Sequence, residues 1–507
     1  MMYPGLGHGW AYLILPVLLL IGLWSIIAKA PIYTPRHLSF KDIPVIGVIL
    51  HRQITRPWLL LGMRLLFMAI FLSVIVSGLF GTALAERNLA TTVTWTLWWT
   101  GLVIVTYFIG SAWCAVCPWD VLATWLQGFH LWRRGSNARG LQLRVPRWLR
   151  NVWPASGMLI GLSWLELGLG LSASPSGTAL LALVIVVLTL GSHLSFERKA
   201  FCRYFCSVGR TVGFYASLSP VALRPVAQQV CAACKTLECY HGTEAIEPCP
   251  TFLVLGRTKQ NTFCTSCGAC SQSCPKQNVN WGLRKTGEEA IYTLRPHWDE
   301  AWFILILLGL STFHGITMLP GWEAWLGQAA PGTGDSVQSL WRFTTGMIFM
   351  LSMPMILFML AIKLFMLFCT QGFEYQRLFA VLALPLLPLA FAYHVAHNLN
   401  YLVREGRGLF DILLNPLGLD SLPLSPYEIQ LRQLSPLISQ DILHAVQAGL
   451  MIFGFWLAVR ILQQRLTELA PFIRSARPVI HGGMLGMIMA VTLVNLFLLM
   501  QPMLMRM

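Results

Sequence analysis

Charge is what this chain of 507 residues has least of: Asp, Glu, Lys and Arg together make up 11% of it, against 56% apolar residues. That ratio excludes a single soluble globular core, whose surface needs far more ionised side chains to stay in water. Acidic residues are the scarcer sign, 21 against 36 basic, so the formal net charge is +15. No nucleotide-binding loop, nucleophile triad or metalloprotease signature occurs. No RNA- or DNA-binding motif accompanies the cations either. They stand beside apolar runs, which points to membrane topology and anionic headgroups and away from nucleic acid. Cysteine is missing from the first 113 residues and, apart from Cys369, from everything after Cys274.

What fills the chain is apolar runs long enough for a ~30 Å hydrocarbon layer, which takes about 20 helical residues. Ten candidate spans stand near 10–29, 58–85, 93–113, 152–170, 178–196, 301–320, 340–367, 378–403, 441–462 and 479–501. Ala28-Lys29-Ala30 has the small-x-small form of a processing site, but no basic n-region precedes it and Pro31 follows, so the first run reads as an uncleaved helix. Basic residues crowd alternate loops: Arg36, Lys41, Arg52 and Arg56; Arg133, Arg134, Arg139, Arg144, Arg147 and Arg150; Arg198, Lys199, Arg203 and Arg210; Arg465, Arg474 and Arg477. The loops at 86–92, 171–177 and 321–339 are nearly free of them. By the positive-inside rule the basic loops are cytoplasmic and both termini lie outside, in a multi-pass protein of a bacterial inner membrane. Loop 404–440 is the exception, with Arg404, Arg407 and Arg432 balanced by Asp411, Asp420 and Glu428.

Twelve of the thirteen cysteines fall between Cys114 and Cys274. On this topology all twelve are cytoplasmic, where disulfides are disfavoured and metal or redox roles favoured. The last four, Cys264, Cys267, Cys270 and Cys274 followed by Pro275, have the C-x2-C-x2-C-x3-C-P spacing of a bacterial ferredoxin. Zinc sites use one or two C-x2-C pairs and do not call for that run. Upstream stand Cys231, Cys234 and Cys239, with a wider third step, and then Cys249-Pro250. Cross-ligation of the two-cluster kind assigns one [4Fe–4S] cluster to Cys231, Cys234, Cys239 and Cys274, and the other to Cys264, Cys267, Cys270 and Cys249. The expected architecture is therefore a mostly α, polytopic helical membrane protein with an inserted α+β two-cluster ferredoxin-like domain. Its divisions are an N-terminal membrane domain at 1–221, the ferredoxin-like domain at 222–297 and a C-terminal membrane domain at 298–507.

Two further pairs, Cys114/Cys117 before Pro118 and Cys202/Cys206 before Ser207, stand where spans three and five end. Together with the Cys202-to-Pro275 stretch, through Leu218-Ser219-Pro220 and Arg224-Pro225, they resemble the membrane polyferredoxin family over roughly residues 60–295. That family includes the membrane component beside periplasmic nitrate reductase, the iron–sulfur membrane protein of nitrous oxide respiration and the assembly factor of cbb3-type oxidases. The resemblance implies two cysteine pairs after transmembrane helices followed by a two-cluster module. The chain departs from it in having two residues between Cys114 and Cys117, where the family has three, and Ser207 where the family has proline. The pairs admit a third cluster, a reversible dithiol couple or packed thiols; Cys369 reads as a packed thiol.

The C-terminal half is read without the family. Histidine inside a span is costly and therefore informative. His314, His394, His397 and His444, from three spans, converge on one level near the outer face, and His394 and His397 share a helix face. They fit ligands of haem b or copper, or else histidines bonded across helices in headgroup territory. His193 and His481 fall at the inner end, as interface residues or a second redox site. Because clusters on one side cannot pass an electron across ~30 Å in one step, a relay or a quinone between helices is expected, with Glu166 and Arg64 as candidate polar groups, Arg64 reading as a satisfied interior ion. The methionines, including Met353, Met355 and those from Met484 to Met507, read as filling. These features point to an electron-transfer subunit linking clusters, the quinone pool and an outer acceptor, with partners such as a periplasmic cytochrome or reductase. The other readings are a maturation factor that reduces a metal or cysteine pair for a respiratory enzyme, and a transporter or sensor that reports redox state.

Overall fold

The structure is a computed structural model that describes residues 2–28, 30, 37–54, 57–128, 140–326, 336–370, 373–473 and 476–504. Arg36, Arg56, Arg133, Arg134, Arg139 and Arg474 of the basic loops, and Lys29, Pro31, Met505 and Met507, lie outside the described residues.

The chain is mostly helical. Strand β1 (Met2–Tyr3) leads into helix α1 (His8–Ile27), and β2 (Leu38–Ser39) precedes α2 (Pro57–Phe80). There follow α3 (Trp99–Ile109), α4 (Pro118–Gly128), α5 (Trp153–Gly168), α6 (Pro175–Ser195) and α7 (Ser207–Ala216). The cysteine-rich segment between β3 (Val221–Pro225) and β4 (Val279–Leu283) has only short helical turns. The second half holds α8 (Trp298–Thr317), α9 (Ser336–Met366), α10 (Leu387–Glu405), α11 (Gln440–Ile473), α12 (Arg477–Met500) and strand β5 (Met503–Leu504).

Among the described residues nine helical stretches, not ten, are long and apolar enough to cross a membrane. The stretch expected to be the fourth span is α5, which has 16 residues. At 1.5 Å per residue that is ~24 Å, short of the hydrocarbon layer. It stops because Gly170 takes a left-handed φ of +65°, which ends the helical run. Side chains that only lipid would cover stand out from the bundle, including Leu72 and Phe80 on α2 and Trp341, Phe349 and Leu364 on α9.

Helix α10 is the axis: every side chain from Leu387 to Asn398 is buried, as expected of a helix surrounded by others. Helices α3, α7, α8, α11 and α12 pack around it. A three-stranded antiparallel sheet, in the order β2-β4-β3, ties the cysteine-rich segment to the chain before α2. The two ends of the chain meet at the same end of the bundle, where β1 and β5 pair antiparallel, Met2 opposite Leu504.

One expected span does not run straight. The stretch from Leu89 to Gln127 is a single apolar region, but Gly110, with φ +62° and ψ −142°, breaks it after α3. The chain then folds back beside α2, where Arg64 Nε donates to the Ala115 carbonyl at 3.0 Å and Phe67 meets Trp113 edge-on at 5.0 Å. Trp98 touches both Trp113 and Trp119, at 5.8 and 5.3 Å. Cys114 and Cys117 are thus carried into the bundle on an apolar, Trp-rich turn, where a loop leaving it was expected. Arg64 is half-buried, with its Nε–H satisfied by that carbonyl.

Candidate functional site

The ferredoxin-spaced cysteines come together in two groups. Cys264 has Cys267 and Cys249 within electrostatic range, and Cys270 has Cys264, Cys267 and Cys249. All four line one small cavity with Leu253 and Leu255. Cys239 neighbours Cys231, Cys234 and Cys274, and Cys231 neighbours Cys274 and Cys234. Cys270 also has Cys239 in range, so the two groups adjoin there.

The thiols are held by local backbone geometry. Ser266 N–H donates to Cys264 Sγ at 3.3 Å, Leu253 N–H to Cys249 Sγ at 3.3 Å and Asn278 N–H to Cys274 Sγ at 3.4 Å. Asn278 Nδ2 reaches Cys231 Sγ at 3.3 Å, so one asparagine touches two sulfurs of a quartet. Burial pushes the Cys264 thiol up to about 12 and the Cys270 thiol well above its ordinary value, with neighbouring sulfurs adding to the shift. Such thiols are neutral at pH 7 until a metal displaces their protons. Donors aimed at sulfur and a cavity of about 20 Å³ lined by four cysteines are the donor chemistry of a thiolate-held cluster, whose irons and sulfides would take the space between the thiolates. A zinc tetrahedron needs its donors nearly in contact. Among the described residues the group of donors within 4.8 Å of one another is a different one, Asp120, His193 and Cys202.

The remaining four cysteines adjoin the Cys264 quartet. Cys114 is in range of Cys206 and Cys264, Cys117 of Cys206 and Cys114, and Cys202 of Cys206 and Cys117. Ser111 and Ser266 hydroxyls meet at 2.7 Å across the same junction. Cys206 caps α7, its sulfur accepting the Gly209 N–H at 3.2 Å. Arg210, one turn on, lies over the Phe263 ring at 4.1 Å, directly before Cys264. Burial pulls its guanidinium down to about 10, while the Cys114 and Cys206 thiols pull the other way. Read from sequence, Arg210 was only a topology charge; no local motif reports that it faces three thiol-bearing segments.

The histidines do not all meet. His314, His394 and His397 line one cavity together with Glu166, Ser163 and Asn398. The His314 and His397 rings stand 5.1 Å apart at a steep angle, and Tyr215 Oη lies 3.2 Å from His394 Nδ1. Trp99 packs on His394 at 5.5 Å. His444 is elsewhere, against Gly5 and Gly7 near the start of the chain. It is Gln447, three residues on, that faces α10 from α11, donating to the Ala396 carbonyl at 2.9 Å. The cavity is about 30 Å³, room for one or two waters and not for a porphyrin. As placed, the imidazoles do not fit haem b, and no step is derived through it.

Tyr215 connects the two regions. It ends α7, which Cys206 begins, and nine residues of helix rise ~14 Å from the thiols to the histidine cavity. No family model, curated protein or solved structure gives a significant match to this chain.

Proposed function

We propose that this protein is a membrane-bound iron–sulfur electron-transfer protein, passing electrons between two [4Fe–4S] clusters, the quinone pool and an acceptor at the outer face as a subunit of a respiratory complex. The observation that supports it is that Cys249, Cys264, Cys267 and Cys270 line one cavity while Cys239 neighbours Cys231, Cys234 and Cys274. Segment 222–297 is the ferredoxin-like domain, and the basic loops put it on the cytoplasmic side with both termini outside. The likeness to membrane polyferredoxins over residues 60–295 supports the same reading.

The clusters supply one-electron transfer when bound. The chain's part is to hold eight thiolates, to direct N–H groups at their sulfurs and to keep water away with residues such as Leu253 and Leu255. Cationic Arg210 stands where the electron would leave for the bundle, and α7 leads from there toward His394. A hollow of about 800 Å³ at the far end of α8, walled by Trp322, Trp325, Phe349 and Phe497, is the candidate berth for a quinone. Quinol oxidation there would release two electrons and two protons.

The small size of the histidine cavity favours a second reading, in which no haem is present and the clusters reduce a metal or cysteine pair in a partner enzyme under maturation. Iron, acid-labile sulfide and haem per purified chain, with redox titration, test both. About eight irons matched by sulfide and reducible by quinol support the first reading. The same clusters unreactive to quinol support the second, and zinc without iron overturns both.

A further inference from the structure

The membrane-embedded cysteines carry a second kind of site. We infer that Asp120, His193 and Cys202 bind a single borderline divalent ion, Zn²⁺ or Fe²⁺, distinct from any iron–sulfur cluster. His193 Nε2 stands 3.5 Å from Asp120 Oδ1, and Cys202 Sγ stands 3.7 Å from the same oxygen. All three donor atoms lie within 4.8 Å of one another. In a tetrahedral site with metal–ligand bonds of ~2.0–2.3 Å, neighbouring donors are about 3.3–3.8 Å apart. The two edges fall in that range.

The surroundings meet the other requirements of a metal site. His193 and Asp120 are buried, 3% and 4% exposed, and His193 Nε2 has no hydrogen-bond partner. An imidazole nitrogen left bare in a packed bundle is costly unless something occupies it. The second Asp120 oxygen pairs with Lys199 Nζ, which fixes the carboxylate and leaves Oδ1 turned to His193 and Cys202. Gln127 Nε2 holds the backbone beside the imidazole by donating to the His193 carbonyl at 2.9 Å. Cys117 stands outside that group of three but close by, its sulfur accepting the Asp120 amide and lying in electrostatic range of Cys202, and the fourth position is left to solvent. Nitrogen, oxygen and sulfur together suit a borderline ion. A polar hollow of about 720 Å³ bordered by Thr124, His193, Arg198 and Lys199 gives an entry path.

The inference rests on the proposed function only where that reading left a choice, because it removes Cys202 from a third cubane and leaves Cys114 and Cys206 beside Arg210. It does not depend on the two clusters being present. The ligand chemistry also explains why Asp120 is there at all. A carboxylate 3.7 Å from a cubane thiolate would add negative charge to an already anionic centre, whereas next to a single divalent cation it completes the charge balance.

The test is metal analysis of the full-length protein in detergent, counting metal not matched by acid-labile sulfide, with X-ray absorption at the zinc and iron edges. The expected result is one unmatched ion per chain with mixed N/O and S scattering. It should be lost in His193→Ala and Cys202→Ser and retained in Cys206→Ser, with sulfide unchanged in all three. Should the variants fold poorly, stripping the wild-type protein with a chelator and adding Co²⁺ should give one equivalent of tetrahedral, thiolate-bound cobalt. The inference is overturned if every metal ion is matched by sulfide, if the unmatched ion survives both His193→Ala and Cys202→Ser, or if stripped protein takes up no Co²⁺. Loss of the proposed function would read separately, as absence of sulfide with the unmatched ion still present.

Discussion

The cysteine-rich region and the histidine cavity are both assembled from side chains able to hold redox centres, yet they are built in opposite ways. The cysteines sit on short turns, and two of the four sulfurs in the Cys264 run, those of Cys264 and Cys274, accept backbone N–H groups of their own loop. The cavity histidines sit on two long helices, α8 and α10; Tyr215 from a third bonds His394, and Glu166 from a fourth lines the same cavity. Loop-borne ligands can close on a cofactor as it binds, whereas helix-borne ligands are fixed by the bundle before anything arrives. Folding of the first region should therefore depend on its metal, and folding of the second should not.

The sharpest way to break that comparison is to remove ligands from each side. Cys264→Ser combined with Cys267→Ser should abolish one cluster, lowering iron by about four per chain, and should destabilise the segment between β3 and β4 so that it is cleaved by protease. His394→Ala combined with His397→Ala should leave iron and protease resistance of that segment unchanged. Equal damage from both pairs, measured by iron content and limited proteolysis, would erase the distinction.

Next in size is the joint between the regions. Glu289 is buried between Arg284 Nη1 at 2.5 Å and Arg224 Nη2 at 2.7 Å, and it accepts the Asn261 N–H at 2.6 Å. Burial alone would raise its carboxyl, but Arg284 and Arg224, with the Asn261 amide, outweigh burial and hold it below its ordinary value. A depressed carboxyl contributes stability above its unfolded pKa of about 4.3, and that contribution is lost as pH falls through the lower folded value. Glu289→Ala should cost about 3–5 kcal/mol, because two buried guanidiniums lose their partner. Thermal unfolding should show the wild type losing stability below about pH 4 and the variant changing much less there.

Legibility in the sequence follows the same divide. That Cys264, Cys267 and Cys270 belong together was legible because they lie within seven residues, and the structure sets all three around one cavity. The apolar runs could be read because lipid demands length and composition. Glu166 was recognisable as a costly carboxyl in a span, but not as the neighbour of His314 and His397, since that depends on how α5 packs on α8. Asp120 gave no signal at all: in sequence it is one acid after a Cys-Pro-Trp run, and only the reversal at Gly110 brings it to His193. His444 shows the converse error, because a shared level along the membrane does not fix which way a helix face turns.

A smaller effect tests the link between the regions. Tyr215→Phe removes the hydroxyl 3.2 Å from His394 Nδ1 and keeps the ring that meets Phe391 edge-on at 5.1 Å. The expected loss is about 1 kcal/mol of stability, with cluster content unchanged. A change in cluster content would mean that the bundle, through α7, shapes the cysteine region more than its own loops do.

An effect of the same size separates His444 from the other three histidines. Its ring is buried beside Gly7, bonded to the Gly5 backbone and outside the cavity, so His444→Ala should cost about 1 kcal/mol. His397→Ala, by contrast, opens space beside the His314 ring and the stacked Tyr393 ring, 5.1 and 5.6 Å away, and should cost several times more. Thermal unfolding of the two single variants and the double gives the answer. Additive losses fit two separate sites, and a coupling above about 0.5 kcal/mol would place His444 with the cavity after all.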